Sequence, residues 1–135
     1  MIEYPDSYIL IKINVKENNE NKEVGSTLKL YSSWFGGYLG SDEWRLNSGI
    51  RKVEKSIKIS EENEEYPIYK VYGYSQTIYE VGKNVGGTSW TLNNARHIFK
   101  NIPDFVEVEF ICEEEKVLRI MEELSNKTAR GELHV

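Results

Sequence analysis

The stretch that decides the fold is residues 105–112, FVEVEFIC, followed directly by residues 113–126, EEEKVLRIMEELSN. In the first part apolar and acidic side chains alternate, which places them on opposite faces of a strand: Val106, Val108, Phe110 and Cys112 on one, Glu107 and Glu109 on the other. In the second part apolar positions recur at helical spacing: Val117, Leu118, Met121 and Leu124. Three glutamates open this segment, where a helix dipole favours negative charge. The pattern predicts a strand and then a helix.

The segments on either side extend this prediction. Residues 129–135 have the character of a returning strand, so strand, helix and strand would form a βαβ unit with a right-handed crossover. Upstream, Ser89 or Thr91 can cap a helix that Pro103 ends, with apolar residues at helical spacing: Leu92, Ala95, Phe99 and Ile102. The C-terminal half is therefore expected to mix helices and strands.

The N-terminal half reads as strands. Residues 8–15, YILIKINV, place Ile9, Ile11, Ile13 and Val15 on one side, which predicts a half-buried strand. Strand character returns at 24–31, 44–53, 55–60 and 66–81, the last interrupted by Gly73. We expect one α+β domain over residues 1–135, in which an antiparallel β-rich half is followed by a helix and a C-terminal βαβ unit packed on one sheet.

The βαβ ending and the helix before it resemble ferredoxin-like folds. The resemblance covers under half of the chain, and that topology serves unrelated functions. It therefore implies an architecture and transfers no site residue.

Composition excludes several classes of protein. The 135 residues suit one domain, and a hydrophobic content of 39% excludes a disordered chain. A net charge of −5 with scattered lysines and arginines disfavours direct nucleic-acid binding. The single Cys112 fits a reducing compartment, and no leader or membrane-spanning run is visible, so the sequence predicts a cytoplasmic protein. Abundant Ile, Lys, Asn and Tyr, which have AT-rich codons, suggest a bacterial or phage source.

An aromatic and glycine-rich segment, residues 32–44, SSWFGGYLGSDEW, is the leading candidate site. Rings among glycines suggest a shaped loop, and such rings dominate binding interfaces. The candidate partner-binding residues are Trp34, Phe35, Tyr38, Asp42, Glu43 and Trp44. Two interpretations remain open: the rings cover one end of the sheet, or they form a docking surface with an acidic rim for a protein partner with a basic surface.

A second candidate is residues 82–89, GKNVGGTS, between a predicted strand and a predicted helix. Backbone N–H groups of such a loop can hold a nucleotide phosphate or another anion. Thr88 stands where a P-loop has its lysine, so a nucleotide hydrolase is rejected. The candidate ligand-binding residues are Lys83, Gly86, Gly87, Thr88 and Ser89, with no cofactor implied. A plain strand-to-helix connection is the alternative.

No catalytic or metal motif stands out. His97, His134 and Cys112 lack local ligand spacing, and Cys112 is expected on the core face of its strand. Asp42 and Glu43 are adjacent, so on a strand they would point to opposite faces and could not flank one bond. The sequence predicts a small non-enzymatic binding protein of bacterial or phage type, such as an inhibitor, an immunity protein or an anti-defence accessory. A nucleotide-sequestering or anion-sequestering protein is the alternative.

Overall fold

The computed structural model describes residues 1–16, 23–36 and 42–132. These residues form eight strands and two helices, in an order that confirms the α+β class and the strand-rich N-terminal half. The elements are β1 (Ile2–Glu3), β2 (Ser7–Lys16), β3 (Glu23–Trp34), β4 (Glu43–Leu46), β5 (Lys52–Ile59), β6 (Glu65–Tyr72), β7 (Ile78–Val81), α1 (Ser89–Ile98), β8 (Val106–Ile111) and α2 (Glu114–Ala129).

The strands form two four-stranded sheets, so the expectation of one sheet is wrong. Sheet A has the order β1-β7-β6-β5, in which β1 runs parallel to β7 and the other neighbours are antiparallel. Sheet B has the order β4-β3-β2-β8 and is antiparallel throughout. A single parallel bridge between Tyr8 and Val85 links β2 to the chain that follows β7.

The predicted C-terminal βαβ unit is also wrong. Helix α2 continues to Ala129, and Gly131 then adopts a left-handed conformation with φ of 73°. The N–H of Gly131 donates to the carbonyl of Thr128 and that of Glu132 to the carbonyl of Lys127, which is how glycine commonly ends a helix. Residues 129–132 therefore belong to a helix end rather than a strand, and residues 133–135 lie outside the described part.

Strand β2 is buried on both faces at its N-terminal half, which corrects the half-buried strand of the prediction. Tyr8 and Leu10 join a first core formed with sheet A and α2, which also contains Val53, Tyr69, Val71, Tyr79, Val81, Val117 and Met121. Ile9 and Ile11 join a second core beneath α1, together with Tyr31 and Ala95. Sheet B is thus the middle layer, and only the C-terminal end of β2 reaches the surface.

Strand ends differ from the prediction where turns intervene. Gly73 lies in the connection between β6 and β7, where a Cβ atom would stand 2.9 Å from the Ser48 hydroxyl. The 44–53 stretch is divided because the buried Asn47 side chain accepts hydrogen bonds from the N–H groups of Leu30 and Gly49. Strand β8 ends at Ile111, so Cys112 is exposed after the strand instead of facing a core.

Candidate docking site at the end of sheet B

The aromatic segment is less of a loop than its glycines suggest. Trp34 is the last residue of β3 and pairs with Glu43, while Trp44 in β4 pairs with Ser33. Paired residues share a face of the sheet and successive residues alternate, so Trp34 and Trp44 lie on opposite faces of sheet B. The two tryptophans therefore form two separate surfaces at one corner of the sheet. Tyr38 lies outside the described residues.

On the face toward α1, Trp44 rests on a buried tyrosine. Its ring stacks on Tyr31 with centroids 5.6 Å apart and planes 20° apart, and 37% of Trp44 stays exposed. The Tyr31 hydroxyl donates to the carbonyl of Thr91 at 2.8 Å and accepts from the Asn94 amide at 3.4 Å. Burial raises the pKa of Tyr31, which keeps the phenol protonated as a donor. Trp44 is thus a fixed ring with part of its surface free.

On the opposite face, a cleft of about 360 Å³ opens beside Trp34. The Arg45 guanidinium carbon lies 5.5 Å from the centroid of the Trp34 ring, and Arg45 Nη1 lies 3.4 Å from Glu3 Oε1. Trp34 also packs against the first core, whereas Phe35 is 40% exposed. The cleft is lined by Glu3, Asp6, Trp34, Phe35, Glu43 and Arg45. It combines aromatic walls with three carboxylates and one guanidinium.

The charges of this cleft are only partly balanced. Arg45 pairs with Glu3, and one oxygen of Asp6, Oδ2, accepts the backbone N–H of Phe35 at 2.7 Å. Among the residues that the structure describes, neither Asp6 nor Glu43 has an ion-pair partner. Carboxylates beside aromatic ring faces favour a cation, so the cleft suits a positively charged group.

Asp42 has a different position from the exposed rim that the sequence suggested. It is half-buried, with Oδ1 accepting the Gly36 N–H at 3.1 Å and Oδ2 accepting the Thr88 hydroxyl at 2.9 Å. Asp42 therefore ties the end of β3 to the start of α1. Glu43, its neighbour, faces the cleft, so the two acids diverge as strand geometry requires.

Four of the eight N–H groups in the 82–89 loop, those of Gly82, Val85, Gly86 and Thr88, donate to other groups of the chain. Gly82 donates to the Asn84 side chain at 2.9 Å, Val85 to the Lys83 carbonyl at 2.8 Å, and Gly86 to the Tyr8 carbonyl at 2.7 Å. Thr88 is the N-cap of α1 and forms a reciprocal capping box with Thr91. Lys83 and Ser89 are exposed. The Asp42 carboxylate already stands at this helix end, where an anion would otherwise be favoured.

No group of three or more His, Cys, Asp and Glu side chains within 1–16, 23–36 and 42–132 could hold a metal ion. His97 is exposed, and His134 lies outside those ranges. Neither α1 nor α2 has the length and apolar character needed to span a membrane.

The chain was compared with protein-family models, with curated proteins and with solved structures, and no match was found in any of the three.

Three cleft residues were absent from the sequence-based site: Glu3, Asp6 and Arg45. Arg45 lies two positions after Glu43, so strand alternation already places both on one face. Glu3 and Asp6 come from the start of the chain, and no local pattern connects them to β3 or β4. Only the pairing of strands brings them to the cleft.

Proposed function

We propose that the protein is a non-enzymatic binding protein that occupies a protein partner through the corner of sheet B, defined as Trp34, Phe35, Glu43 and Trp44. The action is that of an inhibitor or immunity-like protein, in which steric occupation of the partner replaces chemistry. The cytoplasmic setting and the bacterial or phage source suggested by the sequence belong to this proposal. The observation that carries it is the carboxylate-lined cleft with aromatic rings left partly exposed beside it.

The rings at this corner are held in place before any partner arrives. Trp44 is stacked on Tyr31, and Trp34 lies between the first core and Arg45. A ring that is already fixed loses little side-chain entropy on binding, so more of its contact energy contributes to affinity. Aromatic anchors of this kind supply most of the binding energy in many interfaces.

The anion-binding alternative at residues 82–89 finds less support. The N–H groups of Gly82, Val85 and Gly86 are engaged within the chain, and Asp42 places a negative charge at the end of α1. A phosphate would have to compete with that carboxylate. At the corner of sheet B the internal cation, Arg45, pairs with Glu3, and among the described residues Asp6 and Glu43 have no ion-pair partner.

The proposal is tested by comparing what the wild-type protein and two matched variants capture from a lysate of the source cells. Phe35 and Phe105 are exposed to almost the same extent, 40% and 41%. The two phenylalanines lie at opposite ends of β2. The N–H of Phe35, just after β3, donates to Asp6, which precedes β2. The carbonyl of Phe105 accepts the N–H of Lys16, the last residue of β2. Phe35→Ala should lose the specific partner, and Phe105→Ala should retain it.

The captured protein is then purified and titrated with the three forms, with its own activity as the readout. We expect Phe35→Ala to weaken binding about tenfold or more, as for an aromatic anchor. Thermal unfolding of each variant checks that the fold is intact. Equal binding by Phe35→Ala and the wild type, with Phe105→Ala defective, would place the interface elsewhere and contradict the proposal.

A further inference from the structure

The cleft already holds one guanidinium, that of Arg45. Its contacts show which chemistry the cleft accepts: a flat cation against the Trp34 ring at 5.5 Å and a carboxylate, Glu3, at 3.4 Å. Arginine is suited to such a place because its planar group stacks on aromatic rings and pairs with carboxylates. Arg45 is therefore an internal example of the group that the rest of the cleft can bind.

The cleft has more carboxylates than Arg45 alone can pair with. Asp6 and Glu43 line the same space, and within the described ranges neither is in an ion pair. Phe35 adds a partly exposed ring. With Glu3, Asp6 and Glu43 set against Arg45, the lining carries two more negative than positive charges. A second cation beside Arg45 would be attracted rather than repelled.

We infer that the cleft receives an arginine side chain of the protein partner, which lies beside Arg45 with its guanidinium toward Glu43 and Asp6 and its plane against Phe35. This inference rests on the proposed function and specifies the partner's chemistry: a protruding arginine on a basic surface. Lysine fits less well, because an ammonium group gives no planar stacking and no paired hydrogen bonds.

The test uses two short peptides, acetyl-Gly-Arg-Gly-amide and the same peptide with citrulline. Citrulline has nearly the shape of arginine without its charge. NMR titration of the isotope-labelled full chain follows the indole N–H of Trp34 and the backbone amides of Phe35 and Glu43. We expect the arginine peptide to shift these three signals at millimolar concentration and the citrulline peptide to leave them in place.

Two carboxylate variants make the test specific to the cleft. Glu43→Gln should weaken binding of the arginine peptide about two- to fivefold, the size expected for one exposed ion pair. Glu62→Gln, on the exposed turn between β5 and β6, should leave binding unchanged. The inference is overturned if the citrulline peptide binds equally well, if Glu43→Gln has no effect, or if the arginine peptide shifts none of the three signals.

These outcomes are separable from those of the capture experiment. If the arginine peptide fails while Phe35→Ala still abolishes capture, the proposed function stands and the arginine inference falls. If the peptide binds but capture is independent of Phe35, the cleft recognises guanidinium and the proposed docking surface falls.

Discussion

Asp42 helps to hold the proposed docking surface in shape without lying on its rim. Its two carboxylate oxygens hold the Gly36 N–H and the Thr88 hydroxyl, which lie in segments far apart in the sequence. The same hydroxyl accepts the Thr91 N–H at 3.1 Å as the cap of α1. The position of the 34–36 segment is thereby coupled to the start of the helix.

At the residue scale, Gly87 is the position where this arrangement is most sensitive. A Cβ atom there would lie 2.8 Å from Thr91 Oγ1 and 3.3 Å from a Leu92 methyl group, so Gly87→Ala must displace the capping box. Losing a cap costs about 1 kcal/mol, and forced overpacking costs about 1–3 kcal/mol. We expect the free energy of unfolding in urea to fall by about 1–3 kcal/mol.

Gly25→Ala is the matched control, because an added Cβ there meets nothing within 4 Å. Its unfolding midpoint should stay close to that of the wild type. A Gly87→Ala variant as stable as Gly25→Ala would show that the capping box contributes little to the fold.

At the scale of elements, Glu122 connects α2 to two strands of sheet A. Lys55 Nζ of β5 lies 2.9 Å from Glu122 Oε1, and the Tyr69 hydroxyl of β6 donates to Oε2 at 2.9 Å. The hydrogen bond from Lys55, with a further one from Tyr69, lowers the pKa of Glu122 below its ordinary value of 4.5. Burial and the Glu122 contact raise the pKa of Tyr69, so the phenol remains a donor.

The consequence is a pH-dependent contribution of Glu122 to stability. A carboxyl group whose pKa is lower in the folded protein stabilises it above the unfolded pKa, and the effect is lost as the pH falls through the folded pKa. Glu122→Gln should therefore cost about 1 kcal/mol at pH 7, a small value because both side chains of the ion pair are partly exposed. The difference should shrink as the pH falls below 4.5 and through the lowered pKa of folded-state Glu122.

Urea unfolding of the wild type and Glu122→Gln between pH 3 and pH 7 measures this difference. Glu123→Gln, on the exposed side of α2, serves as the control and should follow the wild type throughout. A wild-type advantage over Glu122→Gln that persists unchanged at pH 3 would exclude the charge of Glu122 as its cause.

The spacing of apolar residues in the sequence predicted α2 and β2 well, because a helix or a strand that buries one face repeats its apolar residues at a regular interval. The spacing of Val117, Leu118, Met121 and Leu124 places α2 correctly, and the alternation of 8–15 places β2. The division into two sheets escaped prediction, because alternation does not say which strands pair. The sequence does indicate that both faces of β2 are buried, because the apolar Leu10 lies between Ile9 and Ile11.

The candidate site was predictable in composition and not in arrangement. Ring-rich residues 34–44 identified the corner, but the faces of Trp34 and Trp44 follow from the register of β3 with β4, which depends on long-range pairing. Glu3 enters the cleft because β1 pairs in parallel with β7, and no pattern near residue 3 indicates it. Sequence therefore identifies the aromatic rings and Glu43, and only the fold adds Glu3, Asp6 and Arg45.

At the scale of the whole molecule, the cleft and the overall charge act in the same direction. The chain carries a net charge of −5, and the carboxylates of the cleft outnumber its one guanidinium. A field of one sign raises the rate at which an oppositely charged surface arrives, while short-range contacts decide how long it stays. The association rate should therefore respond to salt concentration, and the dissociation rate to substitutions of the residues in contact.

We expect the association rate constant with the captured partner to fall about tenfold or more between 20 and 500 mM salt, because added ions screen the attraction before contact. Phe35→Ala should leave that rate nearly unchanged and raise the dissociation rate, since its ring acts only within the formed complex. Stopped-flow or surface-binding kinetics separate the two constants. An association rate indifferent to salt would mean that the acidic surface keeps the protein in solution without guiding the encounter, and the aromatic corner would then be the sole source of recognition.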